Sequence, residues 1–284
     1  MIAAGIALAL GAAALHGTWN VLIKVSGDPL ATFERAAFVA ALISTAAVFP
    51  AWLLLGRPSL PAGALGFGLV SAALETVYMW LVSTAYRRGE LSAVYPVARG
   101  SAPLIAVVLA LVVIGERLDP VQLVGVGLLL VGILAVTLSQ GAGRATVPAL
   151  LTGVAIALYT AVDRIGVRLT SPWLYAWLIF TLMAIGLAVS MRLAVRLRFA
   201  PQPDRATIPG WRTSIVIGAF MWGGYFLVLW ALSLAPLAVV APVRETAIVA
   251  VAVWGVWRLR ERQGAVMKLS GAAVTLAGVA LLAA

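Results

Sequence analysis

The sequence has no cysteine, a single histidine, and only 10 Asp+Glu and 20 Lys+Arg among 284 residues. Without cysteine there are no disulfides, no thiolate metal sites and no cysteine nucleophile. One histidine on such a background leaves too few ligands for a metal centre. The sequence contains no H-E-x-x-H, no G-x-S-x-G and no phosphate-binding P-loop, so neither an enzyme, a metal, a cofactor nor an ATP-driven motor is expected. Charged residues make up 11% of the chain, against about a quarter in an ordinary soluble domain. Thirty charges cannot supply the polar shell that a soluble fold of this size needs.

What is present in excess is hydrocarbon: 63% of the residues are apolar. A membrane-spanning helix takes about 20 mostly apolar residues, so about ten fit, with short loops and no room for a soluble domain. A β-barrel is excluded by the same hydropathy, because barrel strands alternate polar and apolar. The fold class read from the sequence is therefore an all-α membrane protein with ten transmembrane helices, and the lipid bilayer is its first partner. The net charge of +10 would suggest nucleic acid in a soluble protein; here no basic region is long or separate enough, and the excess reads as loop charge.

Charge-free runs and Pro/Gly punctuation place the spans at 2–23, 32–55, 62–85, 92–114, 121–139, 147–167, 172–192, 213–234, 237–257 and 267–283. No basic residue precedes the apolar stretch 2–15, and the uncharged run continues to Ile23, which reads as a retained first span and not a cleaved leader. Ser26-Gly27-Asp28-Pro29 and Gly115-Glu116-Arg117-Leu118-Asp119-Pro120 are helix breaks, since proline cannot continue the backbone ladder. From Thr213 to Val243 there is no charge, which is too long for one untilted helix, and Ala235-Pro236 is the expected turn.

The chain repeats itself. A shift of 146 lays Leu91 on Leu237, Pro96 on Pro242, Arg99 on Glu245, Gly125 on Gly271 and Gly132 on Gly278; a shift of 143 lays His16 on Tyr159 and Asn20 on Asp163. The units are 1–145 and 146–284, with five spans each. Five is odd, so the second unit starts on the opposite side of the membrane. Two inverted five-helix repeats around a central cavity are the architecture of secondary transporters, with the substrate site near the midplane.

Ionisable groups in hydrocarbon are costly and face the bundle interior. Helical spacing puts His16, Trp19 and Asn20 on one face of the first span, Glu75 and Tyr78 on the third, Tyr95 and Arg99 on the fourth, Tyr159 and Asp163 on the sixth, and Trp222 and Tyr225 on the eighth; Arg244 and Glu245 follow Pro242 on the ninth. These thirteen residues are the candidate substrate-binding set. They suit a zwitterionic amino acid: Arg99 or Arg244 for the carboxylate, Asp163, Glu75 or Glu245 for the ammonium, and aromatic faces for a side chain. A structural alternative stands beside this reading, with Arg99–Glu245 and Arg244–Glu75 as ion pairs that neutralise one another. Trp52, Trp173, Trp177, Trp211, Trp254 and Trp257 read as interfacial or lipid-facing, and Gly125-Val126-Gly127 as a close helix contact.

With these residues in view, the sequence resembles the drug/metabolite transporter superfamily, within its EamA group. Leu15-His16-Gly17-Thr18-Trp19-Asn20, followed by Lys24, is similar to the first span of many members. Gly115-Glu116-Arg117-Leu118, with Gln122 and Gly125, resembles the G-E-R-x element at the end of each repeat, and Arg260-Glu261-Arg262 is a degraded second copy lacking the glycine. The resemblance implies a ten-helix basket with inverted repeats, alternating access, and export of a small metabolite across the inner membrane. Trp19, Tyr78, Tyr95, Tyr159, Trp222 and Tyr225 point to the branch that exports aromatic amino acids. The rival readings are an exporter of lipophilic cations and a membrane receptor without flux. On orientation two expectations oppose one another. The loops after spans 1, 3, 5, 7 and 9 hold thirteen of the 20 Lys and Arg, which puts both termini outside, whereas the family resemblance implies both in the cytoplasm.

Overall fold

The computed structural model describes residues 1–89, 91–138, 143–200, 202–203, 207–248 and 265–283. The helices are α1 (Ile2–Lys24), α2 (Pro29–Leu54), α3 (Ala62–Arg88), α4 (Leu91–Val108), α5 (Pro120–Leu138), α6 (Thr146–Gly166), α7 (Pro172–Arg196), α8 (Trp211–Leu234), α9 (Leu237–Arg244) and α10 (Ala265–Ala283). Among the described residues nine helices are long and apolar enough to cross a membrane. The short α9 opens the remaining span. The end of that span, the Arg260-Glu261-Arg262 copy, Trp254 and Trp257 lie outside the described residues.

Punctuation and helix ends agree closely. Asp28 caps α2, accepting from the amides of Leu30 (3.1 Å) and Ala31 (3.3 Å), with Pro29 at the first helical position. Ala235 ends α8 and Pro236 starts α9. One departure is α7, which runs four residues past its expected end, to Arg196; another lies at the end of the fourth span, where α4 widens into a π-helical turn over Leu109–Val113. Gly115 then takes φ +76°, a left-handed conformation that glycine adopts without a steric penalty. This turn redirects the chain so that Glu116 points back into the bundle.

Glu116 is a junction. Its carboxylate accepts from the Leu237 and Ala238 amides (2.9 and 3.0 Å), the free amides at the start of α9, and pairs with Arg164 Nε at 2.7 Å. Arg164 in turn donates to the Leu232 carbonyl near the end of α8. The repeat mate of α6 does the same at the other end of the molecule: Lys24, closing α1, donates to the Tyr86 and Gly89 carbonyls at the end of α3 (2.6 and 2.8 Å).

Helix contacts display the inverted symmetry. α2 packs on α7, α4 on α9 and α5 on α10, each helix on its own repeat mate; the other contacts come as matched couples, α1·α8 with α3·α6, α2·α8 with α3·α7, and α1·α9 with α4·α6. A two-fold relation between halves with five helices each requires this pattern. At the α5·α10 crossing the four repeat-matched glycines meet in pairs. A Cβ on Gly132 would lie 2.6 Å from the Gly271 carbonyl, and one on Gly278 would lie 2.7 Å from that of Gly125. Gly127 has nothing within 4 Å, so of the expected Gly125-Val126-Gly127 contact only Gly125 is used.

The outer surface is apolar, as lipid requires: Phe38, Leu42, Leu69, Val124, Val131, Ile185 and Val189 are all exposed. Threonines inside the spans satisfy their hydroxyls on the preceding turn, as Thr76 does on Ala72 (2.8 Å) and Thr137 on Ile133 (2.8 Å). Near one membrane face Arg35 donates to the Pro209 carbonyl (2.7 Å) and lies 4.8 Å over the Trp211 ring, in keeping with an interfacial position.

Three outcomes are expected. Gly132→Ala overpacks a backbone contact and should destabilise by about 1–3 kcal/mol, while Gly127→Ala should change stability by no more than about 0.5 kcal/mol; thermal unfolding in detergent compares them. Glu116→Ala strands a buried Arg164 and uncaps α9, and should cost about 3 kcal/mol in the same assay, with Glu116→Gln retaining part of the loss. The loop-charge bias predicts that a periplasm-dependent phosphatase fused after Ala284 is active and a fluorescent protein that matures in the cytoplasm is dark; the reverse pair of signals would assign the orientation implied by the family resemblance.

Candidate functional site

At mid-membrane a small cavity is lined by His16 and Trp19 of α1, Glu75, Tyr78 and Met79 of α3, Tyr159 of α6, Phe180 and Met183 of α7, and Met221 and Tyr225 of α8. Its volume is about 20 Å³, room for one water. An amino acid needs far more than this.

The wall is a ring network. Tyr78 and Tyr159 meet edge to face at 5.6 Å, Tyr159 and Tyr225 at 5.7 Å, and Phe180 and Tyr225 at 6.4 Å; His16 lies 5.7 Å from Trp19 and 6.4 Å from Tyr225. His16 bonds its own helix and not a neighbouring one. Its Nδ1 donates to the Ala12 carbonyl of its own helix at 2.8 Å, so in the neutral ring Nε2 is the acceptor. Asn20 belongs to the same face, but below the cavity. It donates to the His16 carbonyl (2.8 Å) and accepts from the Tyr86 hydroxyl (2.6 Å).

Two carboxylates stand together on one side. Asp163, fully buried behind the wall, accepts from Tyr175 Oη at 3.1 Å and from Tyr225 Oη. The Tyr225 hydroxyl also stands beside Glu75, and the two carboxylates are close enough to feel each other's charge. Among the described residues neither is in an ion pair.

On the other side, where α4 meets α9, Glu245 is shared by two guanidinium groups. Arg99 Nη1 reaches its oxygens at 3.2 and 3.4 Å, and Arg244 Nε reaches it at 3.0 Å. Arg244 Nη1 also reaches Thr160 Oγ1 at 3.4 Å. All three are at most 2% exposed. The expected Arg99–Glu245 pair is therefore present, but the alternative partner of Arg244 is Glu245, its sequence neighbour, and not Glu75. Arg99 lies 5.6 Å over the Tyr95 ring, and among the described residues neither its Nη2 nor the Tyr95 hydroxyl has a hydrogen-bond partner. These residues do not line the cavity, yet the charge of Arg99 acts on three that do, His16, Tyr78 and Tyr159.

Of the thirteen candidates, then, six line the cavity (His16, Trp19, Glu75, Tyr78, Tyr159 and Tyr225), and Asp163 backs it directly. Tyr95, Arg99, Arg244 and Glu245 form the adjoining cluster. Asn20 is one shell out, and Trp222 is half-buried, stacked on Phe226 at 5.5 Å away from the cavity wall. Sequence reasoning missed Met79, Phe180, Met183 and Met221. The signal was there for three of them: Met79 follows Glu75 by one turn, Met221 precedes Tyr225 by one turn, and Met183 follows Phe180 by three. Methionine and phenylalanine carry no polar flag, so on an apolar helix they do not stand out.

The EamA-like transporter family matches residues 3–138 and, a second time, residues 144–284. No curated protein matches the chain. A protein solved by crystallography shares the fold at 16% identity, with a TM-score of 0.70 over 98% of this chain and 95% of that one. The two consecutive matches span both five-helix units, and the chain belongs to the EamA-like transporter family of membrane proteins.

Proposed function

We propose that the chain is a secondary transporter of the inner membrane that exports amino acids, aromatic ones foremost, by alternating access. One observation carries this reading: the buried centre is polarised. Glu75 lines it and Asp163, held by two tyrosine hydroxyls, backs it, neither in an ion pair among the described residues, while across Tyr78 and Tyr159 two guanidinium groups share one carboxylate. A zwitterion is the small molecule that complements both ends, with its ammonium beside Glu75 and its carboxylate toward Arg99. The rings between them supply apolar faces for an aromatic side chain and an electron-rich wall for an ammonium. The three methionines add a soft, adaptable surface.

The inverted repeats supply the motion. Two halves related by a two-fold axis in the membrane plane can rock so that the cavity opens to either side in turn. Prolines inside α4 and α9, Pro96, Pro103 and Pro242, free backbone carbonyls where the helices need to bend. The sequence holds no ATP-binding motif, so flux draws on a gradient.

A second reading has its own observation. Glu75 is the charged residue on the cavity wall, and both arginines stand behind it. A site with an acid in reach and its cations screened suits a lipophilic cation. Purified protein in liposomes separates the readings. Labelled phenylalanine, tyrosine and tryptophan should cross, and Glu75→Gln, Asp163→Asn and Arg99→Ala should each lower that flux by at least about tenfold. Flux of a lipophilic cation with all amino acids retained would select the second reading. Binding without any flux would make the chain a receptor, and movement of a sugar or phosphate ester alone would overturn both substrate classes.

A further inference from the structure

The cluster between α4 and α9 contains more cation than it needs for packing. Within the cluster two guanidinium groups face one carboxylate, a local net positive charge where all three are at most 2% exposed; the carboxylates of Glu75 and Asp163, across Tyr78 and Tyr159, also act on Arg244. The bond to Arg99 is the weaker of the two. Its Nη1 alone spans both oxygens at 3.2 and 3.4 Å, longer than the roughly 2.7–2.9 Å of a well-made charge-assisted bond. Among the described residues its Nη2 is left without a partner, as is the neighbouring Tyr95 hydroxyl. Two unfilled donors beside a surplus positive charge are the complement of one more carboxylate.

We propose that Glu245 is an internal stand-in for the substrate's carboxylate: it occupies Arg99 while the centre is empty, and an entering carboxylate takes Arg99 from it. This rests on the transport reading above and adds a specific event to it.

The exchange leaves no charge stranded. Glu245 keeps Arg244, which already holds it by Nε at 3.0 Å. Arg99 keeps its place because its guanidinium lies over the Tyr95 ring at 5.6 Å. In both states each guanidinium therefore faces a carboxylate, and the entering one also fills the donors that the empty state leaves open. The exchange also has a mechanical consequence. Arg99 and Glu245 are 146 residues apart, the spacing of the repeat, so they occupy equivalent positions in the two halves. Their bond crosses from one repeat to the other, where α4 packs on α9. Releasing it removes a tie between the halves at the moment a carboxylate arrives. Symmetry makes the two positions equal in place, and the sequence makes them opposite in charge.

The test uses the full chain in lipid nanodiscs and three probes: tryptophan, indole-3-propionate (carboxylate, no amine) and tryptamine (amine, no carboxylate). Glu245→Gln should bind both carboxylate-bearing probes about tenfold tighter, the worth of one charged hydrogen bond, and leave tryptamine within about twofold. Its tryptophan flux should fall despite the tighter binding, because the tie is no longer broken by substrate; a purely structural role would not split binding from turnover in this way. Glu245→Asp, which keeps the charge on Arg244 but draws back from Arg99, should show the same pattern with a smaller gain, and it decides the matter if the glutamine variant does not fold. No gain for the carboxylate probes in either variant, or an equal change for all three probes, overturns the proposal. Tighter indole-3-propionate binding in a protein that moves no amino acid would retain the exchange and overturn the transport reading; tryptophan flux without any gain in the Glu245 variants would do the opposite.

Discussion

Inside a bilayer there is no water to complete a polar contact, and the arrangement of this protein follows from that constraint. Buried charges are held by protein partners, with Glu75 on the cavity wall and Asp163 behind it in no ion pair among the described residues. Glu116 has Arg164 and two helix-end amides. Glu245 has two arginines. Asp163 has two tyrosine hydroxyls. Threonines turn back onto their own helices. Among the described residues eight buried side-chain polar atoms lack a hydrogen-bond partner, and two of them are neighbours. Arg99 Nη2 and the Tyr95 hydroxyl remain unfilled next to the cavity, in a setting where an unmade hydrogen bond is costly.

The second constraint is topological. An odd number of helices in each repeat forces the halves to face opposite ways, and helix mates then meet across one axis: α2 with α7, α4 with α9, α5 with α10. The scaffold is symmetric and the chemistry laid on it is not. Asn20 and Asp163 occupy matching places, as do Arg99 and Glu245, yet one member of each couple is charged differently from the other. A symmetric frame allows two alternate openings around one site. The broken chemistry makes the buried centre polar, with Glu75 and Asp163 on one side and the Arg99–Glu245–Arg244 cluster on the other.

Much of this was legible in the chain before any coordinates. Charge-free runs and proline breaks locate the helices to within a few residues, because hydrocarbon thickness sets their length and proline ends them. The repeat singled out the four glycines of the α5·α10 crossing, though not that Gly132 would face Gly271 and Gly125 would face Gly278. Other features were not legible for definite reasons. The π-helical turn at Leu109–Val113 has no composition of its own. The Gly115-Glu116-Arg117-Leu118 element looks like a loop motif in sequence; its capping of α9, more than one hundred residues on, depends on how the halves pack.

The sequence by itself determined the class of the protein: too little charge for a soluble fold, helices of membrane length, two five-span units, and a short set of polar residues inside hydrocarbon. Those are local or periodic properties, and hydrophobicity and chain stiffness are enough to decide them. Only the tertiary structure decided which of those polar residues share a space. Trp222 lies on a helix that lines the cavity yet turns to Phe226, whereas Tyr225, three residues on, joins the cavity wall. Arg244 finds its carboxylate in the adjacent residue and not across the bundle. The physical reason is that partnership in the membrane is settled by geometry at a few ångströms, between helices far apart in sequence, and periodicity along one helix specifies a face without naming what that face will meet.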